Sequence, residues 1–386
     1  MVPTPTRLNP TRMGIGAELL QEQLKSLIVG QDDAIRAIVD MYQTHSAGMS
    51  MPGRPIANFL FLGPTGSGKT RTVEASAECL LGNPQAVLKV DCGEFQHSHE
   101  IAKLIGSPPG YMGHRDTRAL LSQEALDQHF TPAAQIAFVL FDEIEKASDA
   151  LWNLLLGILD KATLTLGDNR KVDFSQAMIF LTSNLGAAEM SALLDPKIGF
   201  APQRASGAVS EGLERKISRS AEEAARRKFT PEFINRLDKI VTFRPLGEKH
   251  LEQILEIELR MVQERIFASG PRHSFIFTAS DRAKRLLLKE GTDVKYGARH
   301  LKRSIERLLV QPMSNLMATA QARAGDSIRV DLDRSSGGLT FVREAEGLPF
   351  RTMTEITGVS MPVPPMAIAS HMAMEPARNW KSTFFK

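Results

Sequence analysis

The run Gly63-Pro64-Thr65-Gly66-Ser67-Gly68-Lys69-Thr70 constrains this chain more than any other feature. It fits the pattern G-x-x-x-x-G-K-[ST] in full. It follows an apolar run at residues 56–62 and opens a helical segment at 71–81, which Gly82-Asn83-Pro84 stops. A glycine-rich turn between a buried strand and a helix N-terminus aims several backbone N–H groups at one point. The positive end of the helix dipole adds to them, and the result is a receptor for phosphate. Lys69 supplies charge for the β- and γ-phosphates, and the Thr70 hydroxyl offers an oxygen to Mg²⁺. The ligand implied is ATP with Mg²⁺. A glycine turn that binds nothing is the alternative, and the strand–loop–helix setting argues against it.

The same setting recurs. Residues 86–90, 136–141 and 177–181 are further short apolar runs with helical segments between them. That alternation predicts an α/β fold, a parallel sheet between helices on both faces. One helical periodicity precedes the first strand, from about Ala17 to the Gly/Pro/Met-rich stretch 48–55. After Pro245 the pattern reads as three helices, at 251–267, 280–289 and 298–324. A hairpin of 327–331 and 339–342 follows, around Gly337-Gly338. The expected organisation is a flexible leader at 1–18, a large α/β domain at 19–245 and a small, mostly helical lid at 246–344. A disordered tail is expected at 345–386, where Pro362, Pro364 and Pro365 fall.

Phe138-Val139-Leu140-Phe141-Asp142-Glu143 is a buried strand ending in two carboxylates. Asp142 can hold Mg²⁺ through water, and Glu143, one residue on, can take a proton from an attacking water. Another strand runs into Asn184, which can reach between the two acids. By itself Asn184 also reads as a turn residue.

The remaining chemistry is bland. With 47 basic and 44 acidic residues the net charge is +3, too small to argue for nucleic acid or a membrane surface. The segment 211–228 is basic, but Glu214, Glu222 and Glu223 interrupt it as in a solvated helix. His97-Ser98-His99 lacks the further ligands of a metal site. Cys79 and Cys92 read as reduced thiols of a cytoplasmic protein. No apolar run approaches the ~18 residues of a membrane helix.

Seven ordered landmarks, spread over nearly all of residues 19–342, resemble the C-terminal ATPase module of the Clp family of ring-forming AAA+ unfoldases. Ile28-Val29-Gly30-Gln31-Asp32 is similar to the family's adenine-side segment, which implies Val29 in nucleotide binding. The phosphate loop comes next. Leu104 to Gly113, containing Gly110-Tyr111-Met112-Gly113, is similar to the first pore loop. Asp142 to Ala147 and Thr182 to Gly186 then match. Phe229 to Asp238 resembles the arginine-finger segment, and Tyr296-Gly297-Ala298-Arg299 resembles sensor 2. The resemblance implies a homohexameric ring in which Arg236 reaches a neighbour's site and Arg299 contacts the γ-phosphate from the lid. Tyr111, between two glycines, would grip unfolded or tagged polypeptide in the pore. A turn with one packed tyrosine is the plainer reading.

Ile198-Gly199-Phe200 is similar to the tripeptide by which some members dock on a ClpP-type peptidase. Packing of Ile198 and Phe200 on their own domain is the rival. The chain departs from the family after Tyr111, where His114-Arg115-Asp116-Thr117-Arg118 replaces an acidic run. It also offers no counterpart of the family's N-terminal substrate domain, first ATPase module or middle domain. Activities that depend on those parts are not expected of it. The expected function is ATP-dependent protein unfolding, feeding a peptidase or acting alone as a chaperone. A nucleic-acid motor would need basic pore residues, and a scaffold with little turnover would not need Asp142, Glu143 and Arg236 together.

Overall fold

The apolar runs become strands of one sheet. The structure is a computed structural model, described here for residues 8–107, 119–132, 134–194, 211–270, 273–292, 297–333, 335 and 337–359, without the side chains of 191–194 and 211–214. Helices α1 (Ile15–Leu27) and α2 (Asp32–Ser46) lead into β1 (Ala57–Leu62), α3 (Lys69–Leu81) and β2 (Val87–Asp91). Short helices α4 (Ala102–Ile105) and α5 (Gln123–Asp127) precede β3 (Ala137–Asp142) and α6 (Asp149–Lys161). A small hairpin, β4 (Thr163–Thr165) and β5 (Lys171–Asp173), leads to β6 (Ala177–Ser183). Then come α7 (Ala187–Leu194), α8 (Glu211–Lys228), α9 (Pro231–Ile234) and β7 (Lys239–Thr242).

The sheet order is β2-β3-β6-β1-β7, and every pairing is parallel. All six residues of β1 are buried, as a central strand covered on both faces requires. Alternation sorts its side chains. Phe59 and Phe61 join the core beneath α1, α2 and α3, while Leu60 and Leu62 join the core beneath α6, α8 and α9. Cys92 packs in the second core and burial pushes its thiol upward. Cys79 is pushed up to about 12 by burial, and both are free.

A second, smaller unit follows: α10 (Glu248–Ala268), β8 (Ile276–Ala279), α11 (Asp281–Gly291), α12 (Ala298–Ile305), α13 (Gln311–Ala318), β9 (Ser327–Leu332), β10 (Leu339–Ala345) and α14 (Phe350–Thr357). Leu255, Leu259, Phe275, Leu287, Leu301, Leu309 and Val330 form its core. The π-helical turn Glu306–Val310 joins α12 to α13 without a break.

Several expectations need correction. The single upstream periodicity is two helices, because Gly30 turns the chain with φ 72° between them. Helical order starts at Ile15, inside the expected leader. Strand β8 is too short a run to show a period in the sequence, yet it pairs parallel to β9 and makes the hairpin a three-stranded sheet. The tail expected to lack structure from 345 carries α14. Phe350 meets Phe267 edge-on with ring centroids 5.2 Å apart, and Met353 and Val359 are buried beside it. An eight-residue helix with two anchors is too short to register as a periodicity. Residues 360–386 lie outside the described residues.

Candidate functional site

The phosphate loop joins β1 to α3 at the C-terminal edge of the sheet, where three strands end together. β1 delivers Gly63, β3 delivers Asp142 and β6 delivers Ser183. Gly63 sits so close to β7 that a Cβ there would lie 2.6 Å from the Phe243 carbonyl oxygen. Gly66 (φ 77°) and Gly68 (φ 101°) take left-handed backbone, which lets the loop fold back on itself before α3 starts.

Lys69 is buried. Its ammonium donates to the carbonyls of Gly63 (2.7 Å) and Pro64 (3.0 Å) and to Asn184 Oδ1 (2.9 Å). The Asn184 amide in turn donates to Glu143 Oε1 at 3.4 Å, and Thr65 Oγ1 donates to Asn184 Oδ1 at 3.5 Å. Asn184 therefore stands between the lysine of one strand's end and the glutamate of another's.

Glu143 occupies left-handed backbone (φ 55°), uncommon for a residue with a side chain and costing on the order of 1 kcal/mol or more. One hydroxyl steadies this turn: the Glu143 N–H donates to Thr182 Oγ1 at 3.1 Å, and Thr182 Oγ1 donates to Asp142 Oδ1. The Glu143 carboxylate is paired with Lys146 at 2.5 Å, and Glu145 accepts the Asn184 N–H at 3.1 Å. Sequence reasoning gave Thr182, Glu145 and Lys146 no separate role, since their partners lie on another strand or around a turn.

The small unit roofs this edge. The Ala298 N–H donates to the Gly66 carbonyl at 3.2 Å. Gln31 ties the other side: its amide donates to Ser67 O and Arg244 O, both at 3.0 Å, and its Oε1 accepts the Arg244 N–H. Between loop and roof lies a cavity of about 340 Å³. Val29, Thr65, Gly66, Ser67, Gly68, Lys69, Thr70, Asp142, Glu143, Asn184 and Arg299 all line it. Leu246, Ile254 and Ile257 add an apolar wall that the sequence did not disclose, because α10 reaches the site only through tertiary packing.

Arg236 lies elsewhere. Its guanidinium is held by the Glu232 carbonyl (2.8 Å) and carboxylate (3.1 Å) and by Asp160 at 3.7 Å, and it does not line the cavity. Gly110, Tyr111, Met112 and Gly113 lie outside the described residues, as do Ile198, Gly199 and Phe200. His97 and His99 stack at 5.7 Å, and among the described residues no metal-binding cluster of histidine, cysteine and acids occurs.

Burial drives the Lys69 ammonium down from 10.5 to about 8, and Arg299 acts in the same direction. Asp142, Glu145 and Glu143 oppose the shift. Between about pH 8 and 10.5 the unfolded chain binds more protons than the folded one, so stability rises with pH across that window. At neutral pH the buried charge costs roughly 3 kcal/mol, which polyphosphate oxygens would offset. ATP binding near pH 9 should therefore draw a proton onto Lys69. Calorimetric enthalpies measured in buffers of different ionisation heat should diverge as pH rises from 7 to 9. Buffer-independent enthalpies at pH 9 would mean that the ammonium is already fully charged in the free protein.

Gly297 sets how closely the roof can approach. It has φ 52°, and a Cβ would lie 2.9 Å from the Gly66 carbonyl oxygen. Strain of this kind is worth ~1–3 kcal/mol. Gly297→Ala is expected to raise the KM for ATP about tenfold while moving kcat less. An unchanged KM in a phosphate-release titration would show that the roof can shift without loosening the loop.

Residues 54–240 match the model of the AAA domain (Cdc48 subfamily), and residues 246–330 match that of the C-terminal, D2-small domain of ClpB protein. The chaperone protein ClpB of Bdellovibrio bacteriovorus is 38% identical over 322 residues, 83% of this chain and 34% of that protein. The chloroplastic chaperone protein ClpC3 of Oryza sativa subsp. japonica is 38% identical over 330 residues, 86% of this chain and 34% of its own length. Among solved structures, a closed-state cryo-electron-microscopy reconstruction of Hsp104 with ATPγS and FITC casein aligns with a TM-score of 0.67 and 28% identity. It covers 85% of this chain and 51% of that one. The chain thus spans about a third of the length of the curated relatives it matches. The matches run from the sheet through the small unit, the two parts that enclose the cavity, and on that ground the chain belongs to the Clp family of AAA+ ATPase modules.

Proposed function

We propose that the chain hydrolyses ATP as one subunit of a homohexameric ring and uses the cycle to pull polypeptide through the ring's pore. The observation that carries this reading is the cavity between loop and roof, where phosphate-binding, acid–base and small-domain residues meet. The triphosphate would lie along the loop N–H groups with Lys69 on its outer oxygens. Glu143 would take the proton of the attacking water once its carboxylate leaves Lys146. Asn184, touching both Lys69 and Glu143, would orient that water against the γ-phosphate. Thr70 and Asp142 are hard oxygen donors that line the same cavity, a set that fits Mg²⁺. When bound there, the ion would supply charge neutralisation on the β- and γ-oxygens.

Arg236 would complete a neighbour's cavity, consistent with its position away from its own. Arg299 would report the γ-phosphate to the roof, so that hydrolysis changes the angle between the two units. Tyr111 loops would then move the substrate. Relatives with chaperone names support protein as substrate. Nucleic acid is the less favoured substrate. Docking of Ile198-Gly199-Phe200 on a ClpP-type peptidase and a cytoplasmic setting belong to the same proposal. Among the described residues no helix is long and apolar enough to cross a membrane.

Phosphate release should be stimulated by an unfolded protein such as casein, and a tagged fluorescent protein should lose its signal in an ATP-dependent manner. Stimulation by single- or double-stranded nucleic acid instead of protein would overturn the reading. Co-purification of a peptidase with the ATP-locked protein would distinguish the protease-coupled form from a stand-alone chaperone.

A further inference from the structure

We propose that Asn58, assisted by Arg54, is a positioning residue for Arg236, fixing that arginine to the strand that carries the phosphate loop. The inference rests on the reading of Arg236 as the group that enters a neighbour's site. Asn58 is fully buried in β1, among Ala57, Phe59, Leu60, Phe61 and Leu62. Its side-chain amide donates to two carbonyls, Leu159 O on α6 and Arg236 O, each at 3.0 Å. Its backbone N–H donates to Asp238 Oδ2 at 2.7 Å, and its carbonyl accepts the Asp238 N–H at 2.9 Å. Arg54 donates to the same Arg236 carbonyl at 3.0 Å and pairs with Asp238 at 3.6 Å.

Two rigid elements therefore converge on Arg236 from its own nucleotide site. β1 starts beside Asn58 and ends at the phosphate loop. α6 follows the Asp142-Glu143 turn, and its last turn supplies Leu159 O to Asn58 and the Asp160 carboxylate to the Arg236 guanidinium. Asn58 Oδ1 is buried without a hydrogen-bond partner, a cost that an apolar residue in this strand would avoid. The position of the asparagine is explained by what its two donors hold. Its amide spans the gap between α6 and residue 236, while the Asn58 backbone N–H and carbonyl are both engaged by Asp238.

The test compares Asn58→Leu and Arg54→Ala, each alone and combined with Arg236→Ala, in the assembled protein. Arg54 is partly exposed, so its variant keeps the test available where Asn58→Leu fails to fold. Each single variant is expected to lower kcat about tenfold with the KM for ATP within about twofold. Neither should lower kcat further in the Arg236→Ala background, because contacts that act through one side chain are not additive. Two results would overturn the inference alone: unchanged kcat in both single variants while Arg236→Ala is impaired, or a further loss of equal size in the Arg236→Ala background. Full activity of Arg236→Ala would overturn the reading of Arg236 itself, and this inference with it.

Discussion

Glu143→Gln should bind ATP with nearly unchanged affinity and hydrolyse it about 10²–10⁴-fold more slowly. The amide keeps the size and hydrogen-bonding reach of the carboxylate but cannot take a proton from water. The turn itself should survive, because the Glu143 N–H to Thr182 hydroxyl bond and the left-handed backbone involve no carboxylate. Only the partly exposed pair with Lys146 is lost, and pairs of this kind contribute little to stability. Single-turnover phosphate release beside a fluorescent-nucleotide binding curve would measure both quantities. A fall in turnover smaller than about fivefold would remove Glu143 from the role of base, since even weak general-base catalysis exceeds that.

Arg236→Ala is the second large effect, a loss of about 10³-fold in hydrolysis with ATP affinity retained. The cavity of this chain is lined without Arg236, so binding within one subunit should not need it. In the isolated chain the guanidinium rests on Glu232 and Asp160, and assembly would move it to a neighbour's γ-phosphate. Mixing gives a sharper outcome than the single variant. In rings combining Arg236→Ala with Glu143→Gln subunits, some sites pair an intact Glu143 with an intact Arg236 from the next subunit. Those sites should recover part of the activity that each variant lacks alone. No recovery on mixing, with assembly verified by sedimentation, would mean that Arg236 acts within its own chain.

The two effects differ in how visible their residues are in the sequence. Glu143 ends an apolar strand and is readable from local pattern, because a buried strand that stops in two acids must bring them to the sheet's edge. Arg236 has no such local signature. Only the resemblance of residues 229–238 to a family segment singled it out, and without that it is a surface arginine near a short helix. The corrections follow the same division. Strands of five to seven largely apolar residues were legible, whereas β8 at four and β4 and β5 at three were too short to show a period. The helix α14 leaves no local mark because Met353 is buried through contact with α10 and its neighbours. The split between α1 and α2 is hidden in the sequence because Gly30 is one residue inside an otherwise continuous apolar rhythm.

What the sequence determined by itself is the phosphate loop, the strand that feeds it, the carboxylates of β3 and the alternation that implies a parallel sheet. These rest on interactions among residues close in the chain, where glycine spacing, burial period and helix starts leave a local mark. Only the tertiary structure decided that Asn184 bridges Lys69 and Glu143, that Thr182 steadies the strained turn, and that Ala298 closes on Gly66 to make a cavity. It alone brought Asn58, Leu159 and Arg236 to one point. Such contacts join residues about 40 to more than 200 positions apart, and their geometry is fixed by sheet order and by the packing of the small unit on the large one. Neither leaves a periodic trace in the chain, so the physics that places them becomes readable only once the strands have found their neighbours.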